Sequence, residues 1–257
     1  MTIFEAIILG VLQGFTEFLP ISSSGHLLLV QRLFGLEEGL LTFSVVVHIA
    51  TFIPVLVVYY DRVKSLVRNP LQKMTLLLFL GTLPTVIAAL VFSDFIDELF
   101  TGNFLAWGFI LTAVIMIITD KLKDGPKNTD EITWKDAVAV GLMQAVAIIP
   151  GVSRSGATIF GGVVRGVERK SALHYSFLLS IPAIAGATVL ELRHVFAGHT
   201  DLDMIFTLPV AAGFLAAMVS GYLAIKLMLR IVAACRLRYF AYYLIVVSVL
   251  ILLFEVV

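Results

Sequence analysis

Gln13-Gly14-Phe15-Thr16-Glu17-Phe18-Leu19-Pro20-Ile21-Ser22-Ser23-Ser24-Gly25-His26 interrupts an apolar stretch that runs from Ile3 to Phe34. A carboxylate, a row of hydroxyls and an imidazole stand where the flanking residues are almost all aliphatic. Proline at position 20 removes a backbone donor and cannot continue a helix. The stretch therefore reads as two half-length helices joined by a turn, a hairpin that enters and leaves on the same side. Irregular backbone of this kind is tolerated at membrane depth only where protein buries it or where it lines a wet cavity.

A second interruption follows 131 residues later. Glu5–His26 aligns without a gap on Asp136–Ala157, and Ala6, Gly10, Gln13, Ser22, Ser24 and Gly25 are identical to Ala137, Gly141, Gln144, Ser153, Ser155 and Gly156. These identities include a whole Ser-x-Ser-Gly element, which points to a duplication rather than to chance pairing of small residues. The chain then reads as one membrane domain with repeats over about residues 1–130 and 131–257. The second break, Pro150-Gly151-Val152-Ser153-Arg154-Ser155-Gly156-Ala157-Thr158, lies inside the apolar region Ala137–Val167.

Composition agrees with a membrane setting. The 257 residues are 60% hydrophobic and 14% charged, with mean hydropathy +1.02, whereas a soluble domain carries about 25% charged residues. Six further runs approach the length of about 20 residues needed to cross a bilayer: Leu40–Tyr60, Met74–Phe92, Phe104–Thr119, Ala172–Leu190, Thr207–Met228 and Phe240–Val257. The expected fold is an all-α polytopic membrane protein with six transmembrane helices and two re-entrant helical hairpins. A net charge of zero gives no bulk attraction to nucleic acid. The single cysteine, Cys235, can form neither an intrachain disulfide nor a metal cluster. The N-terminus lacks a basic segment and a small-residue cleavage site, so no cleavable signal peptide is expected.

The basic residues orient the scheme. One set of ends holds Arg62, Lys64, Arg68, Lys73, Lys121, Lys123, Lys127, Lys135, Arg165, Arg169, Lys170, Lys226, Arg230, Arg236 and Arg238; the opposite set holds Arg32 and Arg193, and Arg154 lies within the second break. The positive-inside rule makes the rich side cytoplasmic, which leaves both termini outside. A hairpin plus three crossings inverts the second copy, so the two polar turns enter from opposite sides and meet near the midplane. Inverted repeats with broken helices place binding sites at such a junction.

The residues there suit a phosphate ester. Gln13 and Glu17 share a helix face, and an intramembrane carboxylate is a functional candidate by default. Ser22, Ser23 and Ser24 precede the second half-helix, where a serine serves as an N-cap or in chemistry. His26 lies three residues after Ser23, and histidine is the usual acid–base group near neutral pH. In the second turn, Gly151 and Gly156 let backbone approach a ligand. Ser153, Ser155 and Thr158 with a helix start form an anion cradle, and Arg154 offers a planar fork of donors. His48 either lines the cavity or bonds a neighbouring helix. His174, His194 and His199 read as bystanders, Asp94, Asp97 and Glu98 as a solvated outer turn, and Pro54, Pro84, Pro182 and Pro209 as kinks within spans.

The two motifs, Gln13–His26 and Pro150–Thr158, resemble those of the undecaprenyl-diphosphate phosphatase (BacA or UppP, bacitracin-resistance) family, and length and span count fit along the whole chain. The resemblance implies hydrolysis of undecaprenyl diphosphate to the monophosphate carrier lipid, in support of cell-wall synthesis. It also implies a bacterial inner membrane, an outward-facing site and a divalent cation, Mg2+ or Ca2+. By motif position, Glu17, Ser23, His26 and Arg154 are the expected essential residues, with Gln13, Ser22, Ser153, Ser155 and Thr158 supporting; Ser24, Gly151 and Gly156 complete the expected substrate contacts. The family motif accepts Glu or Gln at position 13, and Gln13 removes one carboxylate ligand, so a cation held by Glu17 and the substrate phosphates is expected. Ser23 attack with His26 as base, His26 attack, and water activated by His26 all remain open. A polyprenyl diphosphate lipid and the bilayer are the expected partners, with a homo-oligomer possible in principle. Two rivals stand beside this reading. A lipid phosphatase of the PAP2 type shares Ser24-Gly25-His26, but Phe160 occupies its second histidine position. A lipid-diphosphate transporter would use the same inverted-repeat architecture.

Overall fold

The computed structural model describes residues 1–36, 40–101, 104–194, 207–233 and 236–254. Cys235, His199 and the 255–257 end of the last apolar run lie outside the described residues, as do the side chains of Asp97, Arg193 and His194.

Twelve α-helices are described: α1 Ile3–Phe18, α2 Ser23–Leu33, α3 Leu40–Val58, α4 Tyr60–Arg68, α5 Lys73–Val91, α6 Ser93–Thr101, α7 Leu105–Lys121, α8 Trp134–Val146, α9 Arg154–Val164, α10 Arg169–His194, α11 Leu208–Ala233 and α12 Arg238–Phe254. A 3₁₀ turn spans Thr129–Glu131. Among the described residues there is no named strand, only an isolated bridge between Lys127 and Val167. Among the described residues three helices are long and apolar enough to cross a membrane, with a fourth if α3 and α4 count as one bent pair. The 17-residue helices α7 and α12 rise only about 25 Å. An all-helical fold with several such helices is consistent with a polytopic membrane protein.

Both hairpins open on the same cap. The Thr2 hydroxyl accepts from Glu5 N while the Glu5 carboxylate accepts from Thr2 N. Thr133 and Asp136, one repeat length later, do the same for α8. Each box satisfies donors that a helix start otherwise leaves unpaired. Asp136, fully buried, also accepts from Lys127 at 3.1 Å and from Arg165 at 3.0 Å.

Each hairpin's first arm packs on a helix from the other half of the chain: α1 lies along α11, and α8 along α5. Glycines allow the approach. A Cβ on Gly10 would stand 2.2 Å from the Gly213 carbonyl oxygen, and one on Gly141 would stand 2.4 Å from that of Gly81. The helices α7 and α12 pair with each other, as do α3 and α10. A core of Phe18, Phe109, Met116, Ile159, Tyr175 and Phe177 fills the space behind the turns.

The crossing expected over Leu40–Tyr60 is met by α3, Leu40–Val58, from which α4 leaves at 88°. Tyr59 marks the bend, and its hydroxyl bonds His174 Nδ1 at 2.8 Å. Two expectations need correction. Asp94, Asp97 and Glu98 belong to helix α6 rather than to a turn. Pro209 stands in the first turn of α11, where a missing N–H breaks no helical bond; Pro54, Pro84 and Pro182 do lie inside helices.

Candidate active site

The first break is stressed. Leu19 leaves α1 in extended backbone, and Ser22 has φ of +71°, the one positive φ on a non-glycine residue among those described. Such a conformation persists only where the surroundings impose it. Here the Ser22 carbonyl accepts from His26 Nδ1 at 2.8 Å. Ser22 occupies the N-cap position of α2, but its side chain makes no cap bond; its Oγ lies 3.5 Å from Ser24 Oγ. The strained turn leaves Ser23 at the head of the helix.

The second break uses glycine for its positive φ, +83° at Gly151. Thr112 of α7 pins it: its hydroxyl donates to the Gly151 carbonyl at 2.9 Å and accepts from Ser153 N at 3.0 Å. Ser153 caps α9 by accepting from Gly156 N at 3.1 Å. The next residue, Arg154, points across to the first hairpin.

The two turns meet at Glu17. Its Oε1 accepts from Arg154 Nη2 at 2.7 Å, and its Oε2 accepts from Ser23 Oγ at 2.7 Å and from Gln13 Nε2 at 3.2 Å. His48 Nε2 stands 3.9 Å from Oε2, while His48 Nδ1 is engaged with the Ser44 carbonyl at 2.7 Å. The carboxylate is 7% exposed and the guanidinium chain 17%. A buried pair of this kind repays its desolvation only with good geometry and further hydrogen bonds, which Ser23 and Gln13 supply. A cavity of about 60 Å³ opens on the pair, lined by Thr16, Glu17, Ser22, Ser23 and Ser24 from the first hairpin and by Ala147, Val152, Ser153 and Arg154 from the second. A larger space of about 280 Å³ lies elsewhere, beside Arg62 and Lys73, and lacks this combination of carboxylate, hydroxyl and guanidinium.

Not every expected residue reaches that cavity. His26 is buried and engaged at both ring nitrogens, Nδ1 with Ser22 O and Nε2 with the Tyr243 hydroxyl at 2.8 Å. Its ring stacks on Tyr243 at 12° between planes. A carbonyl only accepts, so the neutral imidazole carries its proton on Nδ1 and accepts from Tyr243 at Nε2. Ser155 Oγ donates to the Leu19 carbonyl at 3.1 Å, joining the two turns. Thr158 bonds the Ser176 hydroxyl at 2.6 Å. Gly156 packs near Met116 and Pro20. These three brace the junction from behind, and Gly151 holds the turn.

Sequence reading did not single out Tyr243, Thr112 or Ser176. Each lies in an apolar helix with no local mark, and Tyr243 is 217 residues from His26. The Gln13 Oε1 atom is buried without a hydrogen-bond partner. Among the described residues no group of three or more His, Cys, Asp or Glu side chains converges on one point. A cation here would therefore draw on Glu17 and Gln13 Oε1, both hard oxygen donors of the type Mg2+ and Ca2+ take.

A family model described as bacitracin resistance protein BacA matches residues 6–250. A curated relative named undecaprenyl-diphosphatase, from Carboxydothermus hydrogenoformans, is 44% identical over 256 residues, which is 99% of this chain and 98% of the relative. Undecaprenyl-diphosphatase 3 of Bacillus cereus is 41% identical over 252 residues, 98% of this chain and 96% of its own. Undecaprenyl-diphosphatase 4 of Bacillus thuringiensis is 42% identical over 240 residues, 93% of this chain and 92% of its own.

Proposed function

This chain belongs to the bacitracin resistance protein BacA family, and from that membership we propose that it is a membrane phosphatase that hydrolyses undecaprenyl diphosphate to undecaprenyl phosphate and inorganic phosphate. The observation that carries the site assignment is the meeting of Glu17, Ser23 and Arg154 from two separate hairpins at one small cavity.

Ser23 Oγ is the nucleophile in this reading. Its proton goes to Glu17 Oε2; the 2.7 Å contact between them supports Glu17 rather than His26 as the base. The new bond from Oγ to the terminal phosphorus replaces the bond to the bridging oxygen, and undecaprenyl phosphate leaves. Water then attacks that phosphorus, the bond to Ser23 Oγ breaks as the proton on Glu17 returns to Oγ, and inorganic phosphate leaves with the water's protons. The cavity of about 60 Å³ holds a few waters at most, so a diphosphate enters only when Arg154 turns from Glu17 to the phosphate oxygens. That exchange frees the carboxylate as a base and places a bidentate cation against the charge that builds in the transition state. Ser22, Ser24 and Ser153 border the headgroup, Gln13 holds Glu17 from outside the cavity lining, and Ser155, Gly156, Gly151 and Thr158 hold the backbone that presents Arg154. His26 fixes the strained Ser22 carbonyl and so the placement of Ser23. Glu17 and Gln13 Oε1 would hold a divalent cation together with the substrate, and such a cation supplies charge neutralisation at the diphosphate.

The finer architecture follows the same reading: six crossings and two re-entrant hairpins in an inverted repeat, both termini outside and the site open to the outer side of the bacterial inner membrane. The exchanged packing of α1 on α11 and α8 on α5, with matching glycine contacts, supports the repeat. The basic-residue count supports the orientation.

Purified full-length protein in detergent, incubated with undecaprenyl diphosphate and a divalent cation, tests the activity. The expected products are undecaprenyl phosphate and phosphate in equal amounts; an unchanged lipid would refute it.

A further inference from the structure

The helix α4 lies across the end of α3, bent away by 88°, and offers two faces. Val63 and Leu66 pack against the core, while Arg62, Lys64, Val67 and Arg68 are exposed. An amphipathic helix with cations on its polar face suits the plane of a membrane interface. Between α4, the start of α5 and the 129–131 turn opens the space of about 280 Å³. Its polar rim carries Arg62, Gln72, Lys73 and Asp130, and its wall carries Leu66, Met74 and Leu77.

The charges of this groove are incompletely matched. Among the described residues no hydrogen bond or ion pair engages the Arg62 guanidinium. Lys73 Nζ donates to the Asp130 backbone carbonyl at 2.6 Å, not to a carboxylate, and retains further donors. Arg62 and Lys73 line the groove against the single carboxylate of Asp130. Further along α5, Leu76 is 49% and Phe79 66% exposed. A ligand that fits has an anionic phosphate head and a hydrocarbon chain.

We propose that this groove binds the phosphodiester headgroup of an anionic bilayer phospholipid, with the acyl chain along α5. The proposal requires the chain to sit in a membrane but does not depend on its catalytic activity. The wall of leucine and methionine distinguishes a lipid from a soluble anion, which would gain nothing from it. The excess of cations distinguishes an anionic lipid from a zwitterionic one. A lysine or arginine at a membrane surface attracts anionic lipid with about 1 kcal/mol, so two neutralised cations lower affinity by about thirtyfold.

Native mass spectrometry of the full-length protein in detergent, titrated with dioleoylphosphatidylglycerol, dioleoylphosphatidylcholine or inorganic phosphate, tests this. The wild type is expected to retain phosphatidylglycerol at least about tenfold more tightly than phosphatidylcholine. The Arg62→Gln/Lys73→Gln variant is expected to lose about thirtyfold in phosphatidylglycerol affinity, and the Arg62→Lys/Lys73→Arg variant to keep it. Unchanged phosphatidylcholine retention and unchanged phosphate release from undecaprenyl diphosphate show that the neutralised variant is folded. Equal affinity for the two lipids, equal phosphatidylglycerol affinity in the neutralised variant, or inorganic phosphate binding as tight as the lipid would overturn the proposal.

Discussion

Arg154 Nη2 donates to Glu17 Oε1 at 2.7 Å across 137 residues of chain. Neither residue has a partner of this kind within its own hairpin, so the ion pair exists only because the two broken regions meet. Glu17→Gln keeps the shape and removes both the proton acceptor and the counter-charge of Arg154. Loss of a positioned general base lowers kcat by about 10²–10⁴. Steady-state phosphate release should show that loss in Glu17→Gln, and a fall of less than about tenfold would remove Glu17 from the base role.

Ser23 and His26 separate by their partners. Ser23 faces Glu17 in the cavity, whereas His26 faces Tyr243 behind it. Rapid quenching during turnover of undecaprenyl diphosphate labelled in the terminal phosphate is expected to trap acid-stable phosphoserine at Ser23, absent from Ser23→Ala. An acid-labile adduct on His26 would instead make the imidazole the nucleophile.

The Tyr243→Phe change removes one hydrogen bond to His26 and retains the stacked ring. A hydrogen bond contributes about 1 kcal/mol, so kcat should fall by less than about tenfold with KM unchanged. A loss as large as that of Ser23→Ala would place Tyr243 itself in the chemistry.

Close helix crossings carry the frame that holds the turns. Gly10→Ala and Gly141→Ala put a methyl group at 2.2 Å and 2.4 Å from opposing backbone oxygens. Overpacking of this kind costs about 1–3 kcal/mol, and thermal unfolding in detergent should show both variants destabilised. Gly186→Ala meets nothing within 4 Å and should be neutral or stabilising by up to about 1 kcal/mol, since alanine favours helix. Equal melting temperatures for all three would mean that the crossings are looser than described.

Gln13 donates through Nε2 to Glu17, and its Oε1 is buried and unpartnered. Gln13→Glu adds a second carboxylate there, and the divalent cation concentration for half-maximal activity should fall by about tenfold, because carboxylates are favoured ligands of such ions. A titration of activity after chelation measures it; an unchanged midpoint would place the cation on other groups.

Local chemistry made part of this readable in the chain. Pro20, the serines and Gly151 had to break helices, and a carboxylate and a guanidinium inside apolar sequence had to find partners. That the two polar turns meet follows from those needs; the direct Glu17–Arg154 pair is what the structure adds. The bend at Tyr59 does not follow from them, because the run Val57-Val58-Tyr59-Tyr60 stays apolar through it, and its bond to His174 is a long-range contact. The helix α6 was hidden by its acids, which mark a turn as readily as a helix. Tyr243 and Thr112 escaped notice because a lone hydroxyl in an apolar helix has no local signature; only the approach of α12 and α7 to the turns gives each its role.

The most direct measurement is the initial rate of phosphate release from undecaprenyl diphosphate by wild type and by Arg154→Ala, both shown to be folded by thermal unfolding. Loss of a group that stabilises transition-state charge lowers the rate by about 10²–10³. The expected result is measurable release by the wild type and a fall of at least about a hundredfold in Arg154→Ala. Rates within about threefold of each other would contradict an active site shared between the two hairpins.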